Sequence, residues 1–386
     1  MDFEPTDEQT LFQDQVRKLA ERELAEGALK RAHSPSFPFD VAKLFARTGL
    51  MGITIPEEDG GQGGTLMDAV IAIEQVALVC PRSADVVQAG NFGPIRTFSE
   101  YATPDQKERY LKRLLAGEAV IGLGMTESEA GSAVTDLKTS AAPDGDGFRV
   151  NGGKVFTSHS AEADVFLVYL RYGPGLDGIG SVILERGMGG FSFGERSGYL
   201  NGEEWCALYF DDVYVPPENV LLGPGGFKKQ IAGFNAERIG NTARSLAVGQ
   251  YAFNLAREHA LTRRQFGRPL CEFQGLQWKF AEMKVKLEAA RLLLYRAAAR
   301  ADRGLPSAED TTMAKLACNE AGFFAANEAM QVMGGTGFSQ EALAEYCVRR
   351  TRGWQIAGGS TEMMKNRLAE IVFDRRFPQR PPKSAG

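Results

Sequence analysis

The sequence predicts an α+β chain of three parts: helical over residues 1–120, β over 121–226 and helical again over 227–386. Three observations carry that division. In the first part Leu66, Val70, Ile73 and Ala77 recur at helical spacing. From about residue 121 that period gives way to short β-branched and apolar runs set between glycines. After Gly226 the helical period returns, and Leu276, Phe280, Met283, Leu287, Ala290 and Leu294 alternate steps of four and three.

The first helix opens at Thr6, with Gln9 three residues later as its capping-box partner and Phe12, Val16 and Leu19 continuing the stripe. Gly60-Gly61-Gln62-Gly63-Gly64 reads as a loop. Thr103-Pro104-Asp105-Gln106 opens another helix, with Pro104 at its first position and Gly117 as its stop. In the β part, Gly147–Gly152 leads through a turn into Lys154–Thr157. Residues Asp164–Arg171 and Gly180–Glu185 are strands flanking a glycine-rich connector. Trp205 to Phe210 is non-polar at every position, as expected of a strand buried on both faces. A long helix over Asp310–Met333 stops at Gly334-Gly335.

Composition narrows the function. The chain has 386 residues, 44% hydrophobic and 24% charged, the profile of a soluble globular protein of two or three domains. A net charge of −5, without a Lys/Arg block, argues against a nucleic-acid partner. Five cysteines without CxxC spacing and three dispersed histidines suggest neither a disulfide framework nor a metal site. No apolar run is long enough for a bilayer, and Met1-Asp2-Phe3-Glu4 lacks a signal-peptide pattern, so a cytoplasmic location is expected. Gly173-Pro174-Gly175-Leu176-Asp177-Gly178 matches GxGxxG, but a strand follows it instead of a helix. It is read as a hairpin loop, which disfavours a Rossmann nicotinamide enzyme.

Five short motifs then occur in one order: Gly49-Leu50-Met51-Gly52-Ile53, Met125-Thr126-Glu127, Ala130-Gly131-Ser132, Arg264-Gln265-Phe266-Gly267 and Gly334-Gly335-Thr336-Gly337-Phe338. Together with Glu362 near the end, they resemble the acyl-CoA dehydrogenases over nearly the whole chain. The resemblance implies an N-terminal helical domain, a β-barrel-like middle domain and a C-terminal four-helix bundle. It also implies FAD as cofactor and α,β-dehydrogenation of an acyl thioester, in which a base takes the α-proton while hydride leaves the β-carbon.

Residue by residue, Met125 and Thr126 resemble the segment that meets the flavin ring, and Ser132 the serine near pantetheine or flavin phosphates. Ala133 follows where an acidic residue is common. Phe156 resembles the aromatic packed on the flavin face and Ser158 the hydroxyl near N5; read alone, they are a core residue and a turn residue. Arg263, Gln265 and Phe266 resemble a segment reaching the FAD of a neighbouring subunit, where a guanidinium suits pyrophosphate. Gln331 and Gly335 resemble the adenine and ribose loop, and Ser360 and Glu362 further cofactor contacts. The plain alternative for the Arg263 segment is a solvated charge at a helix-to-loop junction, and for Gln331 and Gly335 it is simple helix capping by Gly334-Gly335.

The base is the point of departure. Many relatives carry a catalytic glutamate where this chain reads Ile356-Ala357-Gly358-Gly359-Ser360, so Gly358 stands in its place. In the long-chain and isovaleryl-type subfamilies the base instead precedes an arginine on a helix of the C-terminal domain. The matching segment is Asn235-Ala236-Glu237-Arg238, which makes Glu237 the expected base. Its own backbone N–H would then be a natural donor to the thioester carbonyl. Standing alone, Glu237 would be an exposed residue paired with Arg238 or Arg244. Arg238 either orients the helix, approaches a CoA phosphate or forms an ordinary salt bridge. Glu362 is a weaker base, a turn past Gly358. Ala357, where tyrosine is common, implies a roomier acyl pocket that Trp354 could fill. His159 reads as a loop residue, and Arg350 replaces an acidic residue, which calls local packing or subunit contacts into question.

The resemblance further implies a homotetramer sharing FAD between subunits and an electron-transfer flavoprotein as acceptor. Two rivals stand beside the dehydrogenase. One is a same-fold flavoenzyme of other chemistry (desulfinase, monooxygenase or enoyl reductase). The other is a non-catalytic assembly protein that keeps the fold.

Overall fold

A computed structural model describes residues 5–301 and 307–379; the acidic start at Met1-Asp2-Phe3-Glu4 lies outside them. The Thr6 hydroxyl accepts the Gln9 N–H while the Gln9 side chain accepts the Thr6 N–H, opening α1 (Asp7–Leu24). Then come α2 (Ala28–Ala32), α3 (Phe39–Arg47), α4 (Leu66–Ala77), α5 (Ala84–Asn91) and α6 (Pro94–Tyr101). Helix α4 is buried on almost every side, the expected stripe included. Thr103 and Gln106 form a second capping box ahead of α7 (Pro104–Gln106). The run continues through a wider π turn at Lys107–Leu111 into α8 (Lys112–Leu115). The Gln106 amide also donates to Glu218 O and Val220 O, tying this helix to the β part.

Strands β1 (Ile121–Gly124), β2 (Ser140–Asp144), β3 (Gly147–Lys154), β4 (Val165–Arg171), β5 (Ile179–Glu185) and β6 (Phe191–Phe193) follow. After them come β7 (Ser197–Gly198), β8 (Glu204–Trp205), β9 (Leu208–Val215) and β10 (Val220–Leu222). The main sheet runs β10-β5-β4-β2-β3-β9-β6, and β1 lies parallel to β4 with Ile121 opposite Val165. The GxGxxG segment is the loop of the β4–β5 hairpin, closed by the Arg171 guanidinium on Gly173 O and Gly175 O.

Two strand expectations are corrected. No turn separates Gly152 from Lys154: β3 passes straight through a bulge between Val150 and Gly152, where a glycine φ of +136° absorbs the extra residue. Trp205–Phe210 is not one strand buried on both faces. It breaks at Cys206, whose N–H bonds the Ser160 hydroxyl, and β9 beyond it leaves Tyr209 53% exposed. Apolar composition alone did not reveal that one face of β9 stays open.

The C-terminal part is α9 (Phe227–Thr262), a hairpin of β11 (Arg264–Gln265) and β12 (Arg268–Pro269), α10 (Gln274–Ala301), α11 (Ala308–Met333), α12 (Gly335–Phe338), α13 (Ala344–Trp354) and α14 (Thr361–Val372). Helices α9, α10 and α11 pack together, with α13 and α14 against α11. At the α9–α11 crossing a Cβ on Gly249 would sit 2.6 Å from Gly322 Cα, so only glycine lets the two backbones meet there. One apolar core joins α4 to α9–α11, and a second (Ile95, Phe98, Leu167, Tyr169, Ile183) welds the N-terminal helices to the sheet.

Candidate active site

The three parts meet at a narrow cleft. Gly93 and Thr97 from the start of α6, Leu123 and Tyr169 from the sheet, and Phe234 and Glu237 from α9 line it. Glu237 Oε2 accepts a 2.7 Å hydrogen bond from Gln88 Nε2 of α5. Among the described residues no ion pair holds this carboxylate. Arg238 donates to Asn235 Oδ1 at 3.0 Å, and Arg244 is bound to Asp85 Oδ1 at 3.0 Å. Burial therefore pushes the Glu237 carboxyl above the usual range, against the pull of Arg244, the Gln88 bond, Lys315 and Arg238. Neither the surface pair with Arg238 nor that with Arg244 forms.

Gly358 lies on the loop between α13 and α14, with φ +69°. A Cβ built there would stand 3.8 Å from both Asn241 Nδ2 and Lys315 Nζ. Asn241 is one helical turn beyond Glu237 on α9, so the position without a side chain and the half-buried carboxylate face the same stretch of helix. One expectation fails here. Glu237 sits well inside α9, where its N–H is committed to the helical ladder and is not free for a thioester carbonyl. The Gly358 N–H, by contrast, makes no hydrogen bond among the described residues.

Residues expected at the flavin ring come together on the edge of the sheet. The Val155 N–H bonds Thr126 O at 2.9 Å, and Ser158 bridges Leu123, bringing Met125, Thr126, Phe156 and Ser158 to one place. Phe156 is no core residue: it is 57% exposed and held at φ +55°, and its ring centroid lies 4.6 Å from that of Trp205. Between Phe156 and Ser158 the buried Thr157 hydroxyl has no partner among the described residues. An exposed ring on a strained backbone beside an orphaned hydroxyl fits a planar, hydrogen-bonding cofactor. Behind this wall Lys154 Nζ donates to Glu127 Oε1 at 2.7 Å. Glu127 also takes the Lys138 and Thr139 N–H groups, anchoring the loop that carries exposed Ser132.

Other expected contacts lie far away within one chain. Arg263 is separated from Glu237 by about 39 Å of α9, at 1.5 Å per residue, and Gln265 and Phe266 are on the exposed hairpin beyond it. Phe266 is 93% exposed at φ +50°. Gln331 and Gly335 are exposed at the end of α11. Ser360 caps α14 by accepting the Met363 N–H. Glu362 is exposed, and its own N–H and the Ser360 hydroxyl hold its carboxyl low, which makes it a poor base. Ala357 is exposed, and its carbonyl turns inward to Lys315 Nζ at 2.9 Å.

Beside the cleft a buried ionic network joins the three parts. Asp85 accepts from Arg82 (3.0 Å), Arg244 (3.0 Å) and Arg350 (2.8 Å), while Glu203 pairs with Arg82 and Arg350. Arg350 thus has two carboxylates in place of the acidic residue it replaces, and both are held below the usual range. The Trp354 ring meets both the Arg244 and Arg350 guanidinia, 4.9 and 4.8 Å from its centroid. His159 lies in a loop edge-on to Phe37, with its pKa lowered to about 4 by burial, so it is neutral at working pH.

Gln88, Asn241 and Lys315 were not expected at the site. Lys315 carried a signal: it falls on the stripe Thr311, Ala314, Cys318, Gly322, whose members are all buried. A lysine on a buried stripe needs acceptors.

Three domain models match the chain in order: acyl-CoA dehydrogenase N-terminal domain over residues 6–118, middle domain over 122–213 and C-terminal domain over 224–373. The chain belongs to the acyl-CoA dehydrogenase family. Its members are FAD-dependent enzymes acting on CH–CH groups. It is 34% identical to a short-chain-specific acyl-CoA dehydrogenase of Clostridium acetobutylicum, over 97% of this chain and 100% of that one. It is 32% identical to a 3-sulfinopropanoyl-CoA desulfinase of Paraburkholderia xenovorans, over 98% and 99%. A solved structure described as the electron transferring flavoprotein of Acidaminococcus fermentans superposes with TM-score 0.90 at 31% identity, over 96% of this chain and 99% of that one.

Proposed function

We propose that this acyl-CoA dehydrogenase family member oxidises an acyl-CoA to its 2,3-enoyl-CoA, with Glu237 as the α-proton base. The observation that carries the reading is a half-buried carboxylate in a cleft at the junction of three domains, raised by desolvation and without an ion pair among the described residues. When bound, FAD supplies the acceptor for the β-hydrogen. Met125, Thr126, Phe156 and Ser158 hold its ring and Ser132 its phosphates or the pantetheine. Arg238 orients α9 or meets a CoA phosphate. Ala357 and Gly358 border the acyl group. The carboxylate moves to Glu237 while the backbone donor stays at Gly358, whose free N–H takes the thioester carbonyl and stabilises the enolate. The domains divide near residues 120 and 226.

The active form is a homotetramer with FAD held across subunits. Trp278, Val285 and Leu292 support this reading: seven residues apart on α10, they form one exposed apolar seam. Exposed Phe266, with Arg263 and Gln265, reaches a neighbour's FAD, as do Gln331 and Gly335; Ser360 and Glu362 complete the cofactor contacts. No described helix is long and apolar enough to cross a membrane, and the proposed setting is the cytoplasm with an electron-transfer flavoprotein as acceptor.

Desulfination is the second reading, favoured by the match to a 3-sulfinopropanoyl-CoA desulfinase over nearly the whole of both chains. An anaerobic screen of straight, branched, cyclic, aromatic and sulfinated acyl thioesters tests both. Bleaching of the bound flavin by a plain acyl-CoA supports dehydrogenation. Sulfite release without bleaching supports desulfination. A purified protein that neither contains nor takes up FAD supports a non-catalytic role.

A further inference from the structure

Lys315 is buried inside α11, with 2% of its surface exposed. An ammonium has three donors, and all three are used. Nζ donates to Ala357 O at 2.9 Å, Trp354 O at 3.1 Å and Asn241 Oδ1 at 3.3 Å. Trp354 O is the last carbonyl of α13, shared with Asn319 Nδ2, at the end where the helix dipole favours a cation; Ala357 O lies three residues beyond, in the loop that follows. Three acceptors and no second donor suit the ammonium, while burial opposes it and lowers its pKa to about 7.

The peptide unit gripped most tightly is Ala357–Gly358. No described peptide bond is cis, so its C=O and N–H point in opposite directions. With the carbonyl drawn inward onto Lys315, the Gly358 N–H is turned away from the buried ammonium, to the open side of the loop. Among the described residues that N–H makes no hydrogen bond, nor do those of Gly359 and Ser360 after it, and Gly358's is the one tied to the carbonyl that Lys315 holds. A cation on the carbonyl also polarises the amide, so the N–H at its other end becomes a stronger donor.

We propose that Lys315 is the positioning residue of the oxyanion donor. Its ammonium fixes and polarises the Ala357–Gly358 peptide so that the Gly358 N–H is presented to the thioester carbonyl. Lys315 itself touches neither substrate nor cofactor. It acts through one peptide plane and, through Asn241, keeps that plane in register with Glu237 one turn away. The absence of a side chain at Gly358 belongs to the same arrangement, because a carboxylate there would sit beside Lys315 Nζ and pull it from the carbonyls.

The inference rests on an acyl thioester occupying the Glu237 cleft, and its test does not require turnover. In Glu237→Gln holoenzyme, a carbonyl-13C-labelled acyl-CoA is bound anaerobically and its C=O stretch recorded by infrared difference spectroscopy. With Lys315 present, the band moves to lower frequency than in free acyl-CoA. In Glu237→Gln/Lys315→Met most of that displacement is lost at unchanged flavin content. Lys315→Gln keeps a neutral donor to the carbonyl and retains part of it, and serves if the methionine protein does not fold. In the Glu237-containing background, Lys315→Met slows bleaching about tenfold, less than the loss of a direct oxyanion donor. The same band with Met or Gln at 315 as with Lys overturns the proposal. Persisting bleaching in Glu237→Gln overturns the base assignment alone and leaves the band test standing.

Discussion

Glu237 Oε2 accepts its 2.7 Å hydrogen bond from the neutral amide of Gln88, although two arginines, Arg238 and Arg244, follow it on the same helix. Both guanidinia are engaged elsewhere, by Asn235 and Asp85. The carboxylate is therefore oriented without an ion pair to neutralise it, the condition the proposed base needs. Removing the amide in Gln88→Leu takes away a bond that favours the charged form and should move the acid limb of the bleaching rate to higher pH. Stopped-flow bleaching between pH 5 and 9, set by experiment, reads that displacement. An unmoved limb would mean the Gln88 bond does not act on the proposed base.

The same burial gives a stability signature. A carboxyl raised in the folded state binds protons there more readily than in the unfolded chain. Stability thus falls as pH rises from the ordinary glutamate range through the raised value. Glu237→Gln removes that penalty, so its Tm should exceed the parent's at neutral pH. The gap should close as the pH falls below the ordinary range. Calorimetry across that window checks the sign.

Gly93 leaves room for the carboxylate. A Cβ there would lie 2.9 Å from Glu237 Oε2, on a backbone at φ +66°. Gly93→Ala should cost roughly 1–2 kcal/mol from the backbone alone. It should also displace the carboxylate and cut the bleaching rate about 100-fold, since a misplacement near 1 Å has that effect. Flavin content should hold, because Gly93 lies on the side of the base; flavin absorbance per subunit tests this.

In the buried network, Arg350→Met leaves Asp85 and Glu203 with fewer cations than their burial requires. The expected loss is about 3–5 kcal/mol, read from urea unfolding at neutral pH. Both carboxyls are depressed, so their contribution is present above the unfolded-state pKa and is lost as pH falls through the folded value. The variant should therefore be closest to its parent in acid. Equal stability at neutral pH would show that the network adds nothing.

How much of this was legible in the sequence depended on the range of the interaction. The capping boxes at Thr6 and Thr103, and the glycine stop at Gly334, are local, and all three are present. The strand at Trp205–Phe210 failed because composition cannot say which face another layer covers. Glu237 was singled out as the expected base by its place in an ordered set of motifs. Its freedom from Arg238 and Arg244 was not, since that depends on Asp85, far away in sequence. The role expected of the Glu237 N–H was misread because a helix interior leaves no free amide. Among the described residues an N–H without a partner lies instead at Gly358, the position that had looked like a loss.

Assembly offers a test outside the cleft. Val285→Lys in the exposed α10 seam of Trp278, Val285 and Leu292 should shift the protein to smaller species by sedimentation. FAD should be lost alongside if the hairpin at Phe266 reaches a neighbour. An unchanged sedimentation coefficient would place the subunit contact elsewhere.

The most direct measurement is anaerobic bleaching by the best acyl-CoA of the screen, comparing the parent with Glu237→Gln at equal flavin content. The account predicts that Glu237→Gln keeps its yellow flavin, binds the thioester and fails to bleach, its rate down by at least about 1,000-fold. Bleaching at the parent's rate would contradict it and return the search for the base to another group.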